Sequence, residues 1–286
     1  MNRISTTMNP DVMITSIFQS LTKSEQKVAE VVRSHLKQAV YWSVSDLAEH
    51  AEVGETTVIR FCRKLGYRGY QDFKLAVAQN GTEAARQEFG EVEDTDSAYV
   101  LAQKVTAENS ATLQNTLSLV DPDAMEESAR EVIASNKVYL FGVGASGVMA
   151  QQAQYRFMRL GFNAESASDS HVIAMNCALA KKGDVVIGIS TSGSTKDLVD
   201  AIDIAKRNGA FIICITNHMK SPITKYGDVA LLTSGVEDPL HGGAFSSLIS
   251  QMHVLDMLTR FIERQHKEHS LAALQKTAKA VSDKLY

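Results

Sequence analysis

Two short apolar runs in the second half of the chain constrain its fold most, because each ends in a turn of small residues. The first run, from Val138, leads into Gly142–Gly147 (GVGASG), and the second, from Asp184, leads into Ser190–Thr195 (STSGST). A strand, a small-residue loop and an amphipathic helix form the repeating unit of a doubly wound parallel sheet. Backbone N–H groups and helix dipoles converge on anions at such loops. Two such loops occur in consecutive units, and one of them is rich in hydroxyls. This arrangement predicts a binding site in which both loops contact a phosphorylated small molecule.

The sequence around these loops alternates between strand and helix patterns. It predicts five parallel strands: one beginning at Val138, then Ala164–Ala167, Val185–Ile189, Phe211–Thr216 and Val229–Leu232. Helices are predicted over Tyr99–Val120, Asp123–Ala134, Val148–Leu160, His171–Leu179, Asp197–Arg207, Phe245–Gln265 and Leu271–Lys284, with a short helix after Ser221-Pro222. The predicted fold class is therefore α/β, with a doubly wound five-stranded parallel sheet.

The first part of the chain has helical patterns only. Thr22 and Glu25 have the spacing of a capping box, which predicts a first helix over Lys23–Ala39. A second helix is predicted over Ser45–Ala51, capped by Ser43 or Ser45, and a third over Glu55–Leu65. The turn between the last two is expected to centre on Gly54. Two helices joined by a short turn that contains Gly predict a helix-turn-helix unit.

The third helix of this unit sorts into two faces. Val58, Phe61, Cys62 and Leu65 form an apolar stripe, and hydroxyls and cations lie opposite. We predict DNA binding through the polar face. Thr56, Thr57 and Arg60 are assigned to base edges, and Arg63, Lys64 and Arg68 to phosphates.

The charge distribution supports this division, although the whole chain has a net charge of −4. Residues 1–79 carry ten Lys and Arg against eight Asp and Glu, whereas the remainder is acidic. Residues 80–97 are rich in Glu and Asp with little apolar periodicity, which predicts a linker. The predicted domains are thus 1–79 for the helix-turn-helix unit and 98–286 for the α/β unit with its C-terminal helices.

Two stretches of the first unit carry a family resemblance. Leu21–Glu30 (LTKSEQKVAE) and Thr57–Lys74 (TVIRFCRKLGYRGYQDFK) resemble the N-terminal domain of the RpiR family of bacterial transcriptional regulators. That family joins its helix-turn-helix to a sugar isomerase (SIS) domain, and the resemblance covers nearly the whole chain. One departure is Gly54, where family members often carry Ser as the helix N-cap. Gly for Ser should cost only a few tenths of a kcal/mol.

The resemblance implies a phosphosugar site. The turn and loop that hold the sugar and its phosphate in SIS domains correspond here to Gly144, Ser146, Ser190, Ser192, Gly193, Ser194 and Thr195. We expect the second loop to take the phosphate. His171, at the start of a predicted helix, could contact the sugar ring or cap that helix. Ser194 or Thr195 could likewise serve as a helix cap.

Two other functions remain open on these residues. Gly142, Gly144 and Gly147 have the spacing of a dinucleotide fingerprint, with Glu165 near the position of a ribose-binding acid, which would make the protein a nicotinamide-sensing regulator. A phosphosugar isomerase would need a general base, and Glu165, Glu237, His171 and His241 are the candidates by position. None of these residues pairs with another at a spacing that argues for catalysis, so no catalytic residue is assigned.

The sequence thus predicts a transcriptional regulator, expected to be a repressor of sugar or amino-sugar catabolism genes. Its expected partners are operator DNA, a phosphosugar effector and further copies of itself in a homodimer or higher oligomer, with no membrane. Neither a cofactor nor a metal is predicted. The start of the chain lacks a signal-peptide pattern, which predicts a cytoplasmic location. Cys62, Cys177 and Cys214 lie in apolar segments and are expected to be buried free thiols.

Overall fold

The computed structural model describes residue 14 and residues 17–81, 93–235 and 245–284. The described residues divide into two compact units, one up to Glu108 and one from Asn109 onwards. The domain limits derived from the sequence remain a prediction, since residues 82–92 of the expected linker lie outside the described residues.

The first unit is helical. After a 3₁₀ turn at Phe18–Ser20, its helices are α1 (Lys23–Ser34), α2 (Leu36–Ala39), α3 (Val44–His50), α4 (Glu55–Lys64) and α5 (Tyr70–Gly81). Thr22 caps α1 in a complete capping box with Glu25, as the spacing predicts, and Ser43 caps α3 with Asp46 in the same way. The helices enclose a core that includes Val28, Leu47, Val58, Phe61 and Phe73.

Two local features of this unit differ from the sequence prediction. The first helix does not continue to Ala39, because His35 leaves the helical conformation with φ −133° and ψ 37°. The turn before α4 is not centred on Gly54, which is extended as the helix N-cap (φ −80°, ψ 151°). The left-handed residue of the turn is Glu52, with φ 52°.

The second unit is built on a five-stranded sheet. Its strands are β1 (Val138–Gly142), β2 (Ala164–Ala167), β3 (Val185–Ile189), β4 (Phe211–Thr216) and β5 (Val229–Leu232). The last four have the predicted bounds, and β1 begins at the predicted residue. The sheet order is β2-β1-β3-β4-β5, and every pair is parallel. Gly142 pairs with Ile189, so the loops that follow β1 and β3 begin side by side. This register brings the two loops together.

Helices cover both faces of the sheet. They are α7 (Pro122–Ala134), α8 (Ala145–Arg159), α9 (Ser170–Leu179), α10 (Lys196–Arg207) and α11 (Phe245–Gln265). The remaining elements are α6 (Ala98–Ser118), which begins before the limit between the two units, α12 (Lys267–Lys279), and 3₁₀ turns at Ile223–Lys225 and Ser282–Lys284. One hydrophobic core lies between the sheet and α7, α8 and α11, and a second between the sheet and α9 and α10. The doubly wound α/β fold is therefore confirmed. Among the described helices, none combines the length and apolar character needed to span a bilayer.

The three cysteines are free and buried, as predicted. Burial raises the pKa of Cys177 and of Cys214 to about 12, and it also raises the pKa of Cys62. Such thiols stay protonated at neutral pH, so they are poor nucleophiles and poor metal ligands.

Candidate functional site

The exposed face of α4 is the candidate nucleic-acid surface. Val58, Phe61, Cys62 and Leu65 are buried, which confirms the predicted apolar stripe. Of the six residues assigned to DNA, Thr56, Arg60, Arg63, Lys64 and Arg68 are exposed, and Thr57 is half-buried. The structure thus leaves five of the six assigned residues accessible at the surface.

A fully buried carboxylate ties two of these cations to α1. Arg60 Nε donates to Glu25 Oε1 (3.0 Å), and Lys64 Nζ donates to Glu25 Oε2 (2.7 Å) and to the Ser20 carbonyl (3.3 Å). Burial would raise the pKa of Glu25, but hydrogen bonds from Lys64 and Thr22 outweigh it and hold the pKa at about 2. Glu25 is therefore ionised at neutral pH and fixes α4 against α1.

The remaining cations differ in their surroundings. Arg68 forms an exposed ion pair with Asp72 (3.2 Å). Lys74, in the same basic stretch of sequence, is buried and does not belong to the surface. Arg63 is exposed and forms no ion pair with any residue that the structure describes. It is the cation of this face most available to a phosphate.

The loops after β1 and β3 form the candidate anion site. Gly144 has φ 61° and ψ −130°, a conformation that L-residues with a side chain rarely adopt, and it delivers the chain into α8. Ser146 lies in the first turn of α8 and is buried. Gly142 packs so closely against this turn that a Cβ there would lie 2.5 Å from the Ser146 carbonyl oxygen. The predicted glycines are thus needed for the tight turn.

The second loop is held by its own hydroxyls. Ser190 Oγ lies 3.1 Å from Thr195 Oγ1, and Ser192 Oγ accepts from the Ser194 N–H (3.2 Å). Ser194 Oγ donates to the Ser192 carbonyl (3.0 Å). Gly193, with φ 60°, packs against Ser221. The loop is therefore a preformed turn at the carboxyl end of β3.

Neither loop uses a side chain to cap the helix that follows it. Thr195 is the N-cap residue of α10, but its side chain makes no capping hydrogen bond, and neither does that of the α8 N-cap residue, Gly144. Asp121 and Asp169 cap the neighbouring helices α7 and α9. The first N–H groups of α8 and α10 thus remain available to an anion.

Sequence reasoning missed Gln251, which joins the two loops. This residue of α11 is fully buried, and its Nε2 donates to Ser146 Oγ (3.2 Å) and to Thr191 Oγ1 (2.9 Å). The signal in the sequence is a single amide next to an apolar stripe that continues through Val254 and Leu258. Its role becomes visible only when α11 is known to reach the loops that follow β1 and β3.

Neither His171 nor Glu165, the two other predicted residues, forms a side-chain hydrogen bond with either loop in the part of the chain that the structure describes. Asp169 caps α9 by accepting from the His171 and Val172 N–H groups (3.0 Å each), so the His171 side chain is not the cap and is exposed. Glu165 forms an ion pair with Lys137 (2.5 Å). Because Glu165 is the second residue of β2, it lies near the amino end of the parallel sheet. It does not occupy the ribose-binding position, which removes support for a dinucleotide site.

Two candidates for catalysis, Glu237 and His241, lie outside the described residues. Within the described ranges, no group of three or more His, Cys, Asp or Glu side chains is arranged to hold a metal ion.

Helices of the helix-turn-helix type joined to a doubly wound sheet define the class of two-domain transcriptional regulators. Residues 8–83 match the helix-turn-helix domain of the rpiR family, and residues 131–260 match the SIS domain. An uncharacterised HTH-type transcriptional regulator of Haemophilus influenzae is 33% identical over 274 residues, which is 94% of either chain. HexR of Pseudomonas aeruginosa, an HTH-type transcriptional regulator, is 32% identical over 245 residues, 86% of either chain. The chain belongs to the RpiR family of helix-turn-helix transcriptional regulators with a SIS domain.

A solved structure extends this comparison to the whole fold. The NanR protein of Vibrio vulnificus, solved in complex with ManNAc-6P, superposes with a TM-score of 0.87 at 26% identity. The match covers 96% of this chain and 98% of the NanR chain.

Proposed function

We propose that this regulator binds operator DNA through α4 and a phosphosugar through the two loops of its SIS domain, and that the phosphosugar relieves repression of sugar or amino-sugar catabolism genes. One observation carries the effector assignment. Gly144–Ser146 and Ser190–Thr195 meet at the carboxyl edge of the sheet, beside two helix N-termini without side-chain caps. Neutral hydroxyls and N–H groups can hold a phosphate dianion without a fixed countercharge, which allows easy release. ManNAc-6P, the ligand bound to NanR, is likewise a sugar that carries a phosphate group.

A thermal-shift screen tests the effector assignment. Phosphosugars are compared with NAD and NADH on the wild-type protein and on Ser192→Ala. A ligand at a hundred times its dissociation constant stabilises the folded protein by about 2.7 kcal/mol. We expect stabilisation by a phosphosugar that is lost in Ser192→Ala, whereas stabilisation by a nicotinamide cofactor alone would contradict the proposal.

We infer further that the site binds without turnover. Support comes from the attached DNA-binding unit, since a sensor needs binding and release, and from Glu165, which is engaged by Lys137. Incubation with the stabilising phosphosugar, followed by NMR of the sugar carbons, should return the same compound. Formation of an isomer would make the protein an enzyme.

We also propose that the protein works as a homodimer or higher oligomer in the cytoplasm, since a lone helix-turn-helix has little contact area and two-fold half-sites require two copies. Apolar side chains are exposed on α6 and α11, among them Tyr99, Leu117, Phe245 and Met252. A groove of about 720 Å³ between α8 and α11 adds apolar surface. Light scattering of the purified protein at micromolar concentration should give at least twice the 31.2 kDa chain mass.

A further inference from the structure

Gln251 has one polar atom without a partner. Its amide nitrogen has two hydrogens and lies within hydrogen-bonding distance of two hydroxyl oxygens, on Ser146 and Thr191. The carbonyl Oε1 is buried and has no hydrogen-bond partner among the described residues. The reverse orientation of the amide would leave two hydrogens unpaired instead of one oxygen, so the observed orientation is the better one. A buried acceptor left in this way is unfavourable unless something else satisfies it.

The position of Gln251 indicates what could satisfy it. The side chain contacts loop one at Ser146 and loop two at Thr191, the first residue after Ser190. The phosphate is expected at the second loop, Ser190–Thr195, beside the N-terminus of α10. Gln251 thus lies between the loops, where the sugar part of a ligand held by both of them would pass.

The surrounding helix makes a purely structural role for this amide costly. Gln251 lies on the buried side of α11 with Val254, Leu255 and Leu258, which belong to the hydrophobic core. An apolar side chain of similar volume would pack there without burying an unsatisfied oxygen.

We propose that Gln251 is a specificity-determining residue of the effector site. Its Nε2 sets the spacing of the two loops, and its Oε1 accepts a hydrogen bond from a hydroxyl or amide N–H on the sugar part of the phosphosugar. This inference rests on the proposed function, because it names a further contact in the same site.

The test compares two probes on the full-length protein. N-acetylmannosamine 6-phosphate and inorganic phosphate are titrated by calorimetry against the wild-type protein, Gln251→Met and Ser192→Ala. Gln251→Met keeps the side-chain length but removes both polar atoms. We expect it to weaken binding of the phosphosugar about tenfold or more, the loss typical of a buried hydrogen bond with a partner left unpaired. Binding of phosphate should weaken much less, because the second loop is also held by its own hydroxyls. Ser192→Ala should weaken both.

Two further variants complete the design. Gln265→Met, the same substitution at an exposed position of α11, should change neither affinity. If circular dichroism shows that Gln251→Met does not fold, then Gln251→Asn, which keeps the amide on a shorter side chain, takes its place with the same expected result.

The outcomes separate this inference from the proposed function. Equal loss of phosphosugar and phosphate binding in the Gln251 variant would mean that the residue only holds the loops in place, and would overturn the inference alone. A wild-type protein that binds phosphate but no phosphosugar from a panel that also includes glucosamine 6-phosphate and glucose 6-phosphate would overturn the proposed function, and this inference with it.

Discussion

Glu25 shows how one residue can hold a binding surface in place. Its carboxylate is fully buried at the first turn of α1, where it completes the capping box and also accepts from Arg60 and Lys64 of α4. A buried carboxylate is tolerable only when it is paired, and removing a partner from such a group is costly. The two cations therefore have two roles. They stabilise the unit, and their remaining N–H groups stay exposed to solvent.

The low pKa of Glu25 predicts a pH-dependent contribution to stability. Its folded pKa of about 2 lies below the ordinary value of 4.5, so the contribution is complete above pH 4.5 and is lost as the pH falls towards 2. We expect Glu25→Gln to lower the free energy of unfolding by about 3 kcal/mol at pH 7. The difference from the wild type should shrink below pH 4.5. Urea unfolding followed by fluorescence of Trp42, the one tryptophan of the chain, reports on this unit.

Glu30→Gln supplies the control, because Glu30 is an exposed carboxylate on the same helix. Glu30→Gln should leave the pH dependence of the free energy of unfolding as it is in the wild type. A Glu25→Gln variant with wild-type stability at pH 7 would contradict the role assigned to the buried carboxylate.

Arg63 tests the DNA-binding face without disturbing this network. Because it is exposed and pairs with no described residue, Arg63→Ala should leave stability unchanged. If it contacts one phosphate, the variant binds all DNA sequences more weakly, and the slope of log affinity against log salt falls by about one. Fluorescence anisotropy over a range of salt concentrations measures this slope. Arg130→Ala, which removes an exposed charge from α7, should leave it at the wild-type value.

The side chains that sequence reasoning could not place are those whose partners are distant in the chain. Gln251 lies 105 residues from Ser146 and 60 from Thr191, and Glu25 lies 35 from Arg60. No periodicity or motif connects such positions. The small-residue loops, by contrast, could be predicted because the turn conformation itself requires glycine at Gly144 and Gly193.

Among the elements, the strands were the easiest to predict. Apart from β2, each is a largely apolar run bounded by turn residues, and β1, β3 and β4 are buried at most of their positions. The helix that was expected to continue to Ala39 was harder to predict, because no Gly or Pro marks the break at His35. The cap of α1 could be predicted because the two residues of a capping box lie only three positions apart in the sequence.

The N-terminus of α4 offers an element-scale prediction. Gly54 is already in the extended conformation of an N-cap, and a Cβ there would meet only Thr56 Oγ1, at 3.7 Å. We therefore expect Gly54→Ser to stabilise the unit by a few tenths of a kcal/mol, because its hydroxyl can accept from a first-turn N–H. The urea midpoint, followed by Trp42 fluorescence, should rise slightly.

The same substitution at Gly66 is a stringent comparison. Gly66 has φ 90°, in the left-handed region, and Gly66→Ser should destabilise the unit by about 1 kcal/mol. Destabilisation by Gly54→Ser as well would show that α4 does not begin with the predicted N-cap geometry.

At the scale of the whole molecule, regulation requires the effector to favour one arrangement of the protein over another. A ligand can shift such an equilibrium only by its difference in affinity for the two states. The effector loops lie in the second unit and the DNA-binding helix in the first, so binding at one must change affinity at the other. This coupling is the central claim of the proposed function.

The most direct test measures DNA affinity with and without effector. Full-length protein is titrated against labelled DNA from upstream of its own and neighbouring genes, with N-acetylmannosamine 6-phosphate or the phosphosugar that stabilises it most. We predict that the phosphosugar weakens DNA binding by the wild-type protein and has no effect on Ser192→Ala, which should bind DNA normally. A phosphosugar that binds the wild-type protein but leaves its DNA affinity unchanged would contradict the account, as would an equal effect on both proteins.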